Sequence, residues 1–136
     1  GVDSELQKSR IQHYSEILEM EEALNDRISS YSHGMRQKIM IMGILLHDPE
    51  IMILDEPLTG LDPKSSFRLK EIMKERAAEG KSVLFSTHVL EVAEKLCDQI
   101  IIINKGKIVY TGTLEALKLQ HHDLSLEEIF LEVTGV

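Results

Sequence analysis

The sequence predicts an α/β fold in which a largely parallel sheet is flanked by helices, with a β-hairpin and short helices towards the carboxyl end. Three observations point to it. Residues 51–54 (IMIL) and 82–87 (SVLFST) are short apolar runs without alternation, the pattern of strands covered on both faces. Around them lie segments with apolar residues every three or four positions, as amphipathic helices require. The two kinds of segment alternate along the chain, which is the order of parallel strands joined by helical crossovers.

Taken in order, residues 5–24 place Ile11, Tyr14, Ile17, Leu18 and Ala23 at roughly helical spacing among charges, a surface helix that NDRISS (25–30) ends. Ser32 is a good N-cap for a second helix with Met35, Ile39, Met42 and Leu46 on one side, stopped by HDP (47–49). The strand IMIL then leaves Asp55 at its carboxyl end. Asp62 as N-cap and Pro63 at the first helical position open a third helix, striped by Leu69, Ile72, Met73 and Arg76 and terminated by Gly80. The second strand ends at His88, and Val89, Val92, Ala93 and Leu96 give the next short helix its apolar side. QIIII (99–103) is a third strand, which NKGK (104–107) turns into IVYTG (108–112) as a hairpin. TLEALK (113–118) is a short helix. Ser125 with Glu128 forms an S-x-x-E capping box for the last helix, through Val133, and Leu124 with Ile129 fits the accompanying staple. The methionines, Met20, Met35, Met40, Met42, Met52 and Met73, are expected to fill the core.

A chain of 136 residues with 43% apolar and 28% charged residues fits one small globular domain rather than a disordered segment. Fifteen Lys and Arg against 23 Asp and Glu leave a net charge of -8, which disfavours nucleic acid as a partner. The longest apolar run, residues 39–46, is far below the ~20 residues that cross a bilayer. The single cysteine, Cys97, forms no internal disulfide and suits a reducing cytoplasm. It reads as a small buried hydrophobe, and His121-His122 as a surface pair rather than a metal site. The chain opens on Gly1 without an initiator Met, which suggests a piece of something longer.

Open α/β sheets bind ligands at the carboxyl ends of their strands, where Asp55, Glu56 and His88 would converge. Acids behind a buried strand suit a magnesium nucleotide: one carboxylate orients the metal's water shell and the next polarises an attacking water. Alternatively Asp55 only caps a turn, and Glu56 and His88 are solvated loop residues. About 20 residues upstream, YSHGMRQK (31–38) begins a helix whose free N–H groups and positive dipole end can bind an oxyanion, with the Ser32 hydroxyl and bare Gly34 beside them. Its plain reading is an N-cap with a surface histidine.

The string IMILDEPLTGLD (51–62) resembles the Walker B segment and D-loop of ABC-type ATPases, and YSHGM resembles their signature motif, usually written LSGGQ. Tyr31 stands for Leu, His33 for the first Gly and Met35 for Gln; the Ser and second Gly are kept. NKGKIVYTGT and SLEEIFLEVTG also look like the closing segments of such domains, so the resemblance covers most of the chain. It implies a partial P-loop NTPase core of the ABC type that handles ATP and Mg²⁺. In that family's pattern Asp55 would be the magnesium-side acid, Glu56 the general base, His88 the switch histidine and Asp62 the D-loop residue facing a partner subunit. Ser32, His33, Gly34 and Met35 would face nucleotide phosphate. The domain division it implies is a remnant of a helical subdomain at 1–30, an ATPase core at 31–112 and carboxyl-terminal helices at 113–136.

A phosphate-wrapping loop G-x-x-x-x-G-K-[ST] is not found in these residues. Gly80-Lys81-Ser82 is a lure: Glu75 occupies the position of the first glycine, and the segment runs from helix to strand, the reverse of the required order. The expected parent is the ATPase subunit of an ABC transporter, with a signature closer to bacterial exporters. It would work as a dimer of nucleotide-binding domains under a membrane permease, at the inner face of the cell membrane. This portion alone is expected to be inactive. A soluble ABC ATPase of translation or DNA repair, or a non-catalytic dimerisation module, are the competing readings. In the family the phosphate-loop strand lies between the strands at 82–87 and 99–103, so these are expected to re-pair or to associate through exposed edges.

Overall fold

The computed structural model describes residues 3–122 and 124–135, which fall into two compact units, Gly1–Ser86 and Thr87–Val136. In the first unit, α1 spans Ser4–Leu18, its Asp3 carboxylate accepting from the Glu5 N–H at 2.9 Å. The helix stops six residues short of the expected Leu24. Glu19 turns left-handed (φ 54°), and the Met20 N–H donates to the Ser15 carbonyl at 2.8 Å, a C-terminal turn that buries Met20 in the core. Two 3₁₀ turns, Ala23–Asn25 and Ile28–Ser30, lead to α2, His33–His47. Ser32 caps it by accepting from the Met35 N–H at 3.2 Å, and Asp48, left-handed at φ 49°, ends it.

Strand β1 is Ile51–Asp55, α3 is Pro63–Ala78 and β2 is Ser82–Ser86. The strands pair in parallel, from Ile51 opposite Ser82 to Asp55 opposite Ser86, with α3 as the crossover that parallel neighbours need. The α3 stripe is buried as expected, Leu69, Ile72 and Met73 together with Arg76. Helix α1 packs on α2 and α3, and α3 on β2.

The strand faces differ from expectation. Met52 is 1% exposed and Leu54 7%, whereas Ile51 is 63%, Ile53 71% and Leu84 54% exposed. A strand exposes alternate side chains to opposite faces, and the helical layer of this unit covers one of them. Among the methionines Met20, Met42, Met52 and Met73 are buried, but Met40 is an exposed helix residue.

The second unit contains α4 (Leu90–Leu96), β3 (Ile100–Asn104), β4 (Lys107–Gly112), α5 (Leu114–Gln120) and α6 (Leu126–Thr134). β3 and β4 form the expected antiparallel hairpin. Its two-residue turn has Lys105 at φ 49° and Gly106 at φ 75°, the pair of positive values that matches strand twist. β3 pairs with β4, so the described strands make one parallel and one antiparallel pair rather than one continuous sheet. Ile100, Ile102, Leu117, Leu126 and Ile129 form its core, with Leu124 and Cys97 packed against it. The capping box of α6 is complete: the Ser125 N–H donates to Glu128 Oε2 at 2.8 Å, and the Glu128 N–H to Ser125 Oγ at 3.3 Å. No helix among the described residues is long and apolar enough to cross a membrane.

Candidate functional site

The pleat of β1 places Asp55 on the same exposed face as Ile51 and Ile53, opposite Ser86 in the register. The Ser86 hydroxyl donates to Asp55 Oδ1 and accepts from the Glu56 N–H at 3.0 Å, so one side chain of β2 holds the Asp55 carboxylate and the backbone of Glu56, the residue that follows β1. Glu56 has φ 45°, a left-handed conformation that costs a non-glycine residue on the order of 1 kcal/mol and turns the chain sharply out of the strand. Pro57 is fully buried behind it, and the Thr59 N–H closes the turn on the Glu56 carbonyl at 3.1 Å.

The tip of α2 docks on this turn. A Cβ on Gly34 would fall 2.6 Å from the Gly60 carbonyl oxygen, so only a bare backbone fits there. Gly60 lies at φ 78° with the His33 ring against the place its Cβ would take, which requires glycine on both counts. Further along α2, Gln37 Nε2 reaches the Glu56 carbonyl at 3.5 Å and the buried Lys38 pairs with Asp62 Oδ2 at 3.3 Å. Asp62 also caps α3, accepting from the Ser65 N–H at 2.9 Å and the Ser65 hydroxyl at 2.6 Å. The Ser65 hydroxyl first, then the Ser65 N–H and Lys38, hold the Asp62 carboxyl far below the usual carboxylate range.

The structure thus brings Ser32, His33, Gly34 and Met35 onto the same body as Asp55, Glu56 and Asp62. Ser32 and His33 are exposed at the helix tip, Gly34 and Met35 half-buried. His88 lies in the second unit, exposed in the bend before α4, where the Thr87 hydroxyl accepts from the Val89 N–H at 3.0 Å. His121 pairs with Glu132 at 3.1 Å.

Sequence reading missed Ser86, Gln37 and Lys38. Ser86 could be found only through the strand register. Lys38, three residues beyond Met35 on a helix with an apolar side, carried a signal as a charge that needs a buried partner.

Asp55, Glu56 and Ser86 offer hard oxygen donors, which fit magnesium rather than a soft metal. Among the described residues no three His, Cys, Asp or Glu side chains gather into a cage. That donor set matches a cation that keeps water and draws its remaining oxygens from substrate phosphates.

The family model described as "ABC transporter" matches residues 2–59. The chain is 40% identical over 124 residues to the ABC transporter ATP-binding protein NatA of Bacillus subtilis (strain 168), covering 91% of this chain and 50% of NatA. It is 39% identical over 136 residues to the ABC-type transporter ATP-binding protein EcsA of the same organism, covering 98% of this chain and 55% of EcsA. The Nod factor export ATP-binding protein I of Rhizobium leguminosarum bv. viciae is 37% identical over 102 residues, 75% of this chain and 33% of that protein. An ATP-binding subunit of an ABC transporter superposes with a TM-score of 0.93 at 34% identity, over 98% of this chain and 57% of that one. An ATP-binding cassette solved as a dimer in a post-hydrolysis state with ADP and Pi gives 0.71 at 26% identity, over 84% and 50%. The chain spans about half the length of the first curated relatives it matches, 50% of NatA and 55% of EcsA. With an α/β architecture that superposes on ATP-binding subunits and relatives near 40% identity along most of its length, this chain belongs to the family of ABC transporter ATP-binding proteins.

Proposed function

We propose that this chain is the carboxyl-terminal part of the ATP-hydrolysing subunit of an ABC transporter, with residues 31–112 as its ATPase core between a helical-subdomain remnant (1–30) and terminal helices (113–136). Asp55 is the magnesium-side acid and Glu56 the general base that orients the attacking water. Ser32, His33, Gly34 and Met35 form a signature tip that meets the nucleotide phosphates of a second copy, the first-turn N–H groups and dipole supplying the attraction. Asp62 positions the loop at that contact, and His88 steadies the γ-phosphate. A bound Mg²⁺ would neutralise charge on the phosphates.

The single observation that carries this reading is the docking of the α2 tip on the acid-bearing turn, at Gly34 and Gly60, with Ser86 bonded to the Asp55 carboxylate and to the Glu56 backbone N–H. The relatives' names support a role in transport, and the Nod factor export protein among them supports export. The same likeness supports work at the inner face of a membrane, beneath a permease. The test is ATP turnover by the full-length protein that contains this chain. Glu56→Gln should lower it by about a hundredfold or more while nucleotide still binds. Turnover that survives this change removes Glu56 as the base.

A further inference from the structure

At the opposite end of β1 from the acid pair, a cavity of about 310 Å³ opens between α1, the α2–β1 turn, α3 and the start of β2. Four charged side chains make its inner wall. Arg10 pairs with Asp48 Oδ2 at 3.3 Å, Arg76 with Asp48 Oδ1 at 2.9 Å, and Lys81 with the same oxygen. Arg10 also donates to the Leu46 carbonyl at 2.8 Å and Arg76 to the Pro49 carbonyl. Arg76 is 4% exposed, and its Nε–H, buried in that wall, has no hydrogen-bond partner.

Three cations therefore share one carboxylate. The other acids of the cavity, Glu75 and Glu79, stand at the surface; Glu79 meets Lys81 at 3.1 Å with 59% of its side chain exposed, against 5% for Arg76, 16% for Lys81 and 23% for Arg10. Water screens the outer acids, while the inner charges act through a lower dielectric. Counted without Glu75 and Glu79, the inner wall carries an excess of two positive charges, which those acids offset only from the exposed mouth of the cavity.

We propose that this cavity binds a compact dianionic oxyanion of the phosphate class, gripped by Arg10, Arg76 and Lys81. The guanidinium forks suit tetrahedral oxyanions. The volume is at the lower limit of small-molecule pockets and leaves room for more than a phosphate group. The site is separate from the acid pair: Asp48 and Lys81 precede β1 and β2, and β1 itself runs about 13 Å from Ile51 to Asp55 at ~3.3 Å per residue. It does not depend on the nucleotide reading above.

The 136-residue chain should be titrated with sodium phosphate, with glycerol phosphate and with sodium chloride at matched ionic strength, followed by calorimetry and ³¹P NMR. Saturable one-to-one phosphate binding is expected, with Lys81→Gln and Arg10→Gln each weakening it by about tenfold or more. Glu79→Gln, which removes an exposed acid at the mouth, should tighten it. A fold-supporting role for these residues predicts no such gain, so the opposite signs separate the two. Glycerol phosphate binding as well as phosphate identifies a monoester headgroup as an admissible ligand; phosphate alone identifies the free ion. A response that chloride reproduces, or equal affinity in the variants and the parent, overturns the proposal.

Discussion

Asp62 uses one carboxylate for two purposes: it caps α3 through Ser65 and neutralises Lys38, which is 8% exposed. Removing it frees an N-terminal N–H and strips a buried ammonium of that counter-charge. Nearly half of its own side chain meets water, 47%, which screens the pair and keeps the effect within the range of cap substitutions. Asp62→Ala should lower stability by about 2 kcal/mol in urea denaturation at neutral pH, and Asp62→Asn by less, because an amide still caps. Its folded pKa is depressed, so the charge contributes fully above the unfolded value near 4 and the contribution disappears as pH falls through the folded value. The gap between the parent chain and Asp62→Asn should therefore narrow steadily below about pH 4. A gap that stays constant into acid would mean that the cap alone matters.

β1 shows at the scale of an element what the sequence could and could not convey. Met52 and Ile53 are adjacent, similar in size and indistinguishable by pattern, yet one is 1% and the other 71% exposed. Met52→Ala should cost about 2–4 kcal/mol, whereas Ile53→Ala should change stability by about 0.5 kcal/mol or less. Thermal melts of the two variants make the comparison, and equal losses would mean that something covers Ile53. Signals within a few residues of each other were legible: the Ser32 and Asp62 caps, Pro63 and Gly80 around α3, the capping box of α6 and the Lys105-Gly106 hairpin turn. Each is decided by local backbone chemistry. Which face of an all-apolar strand is covered depends on a layer supplied from elsewhere, so the run IMIL could not reveal it. The end of α1 was missed for a related reason, since burial of Met20 favours a left-handed Glu19 where helical spacing alone would continue to Leu24. At the site the acids were legible as residues, but Ser86, 31 positions from Asp55, entered only through strand register.

On the scale of the whole molecule, binding a triphosphate is a problem of net charge and of donors held in place. The chain carries a formal charge of -8 and, at the carboxyl end of β1, two carboxylates: Asp55 accepts from the Ser86 hydroxyl, and Glu56 from the Thr59 hydroxyl at 3.5 Å. Opposing them is the tip of α2, where the first-turn N–H groups attract an anion with about half a unit charge. A nest of backbone N–H groups with a lysine would reverse that balance, and these 136 residues contain no G-x-x-x-x-G-K-[ST] to make one. Titration of this chain with MgATP should therefore show no saturation in the micromolar range, and tight binding would contradict the assignment of roles at the acid pair. Weak association is expected in two forms that substitutions separate. Binding that Glu56→Gln strengthens, by relieving repulsion, belongs to the strand ends; binding that Lys81→Gln removes belongs to the cationic cavity at the far end of the same strands. Because the two sites lie at opposite ends of β1 and β2, and the strand-end acids repel an anion that the inner wall of the cavity attracts, rising salt should weaken the second and relieve the repulsion at the first.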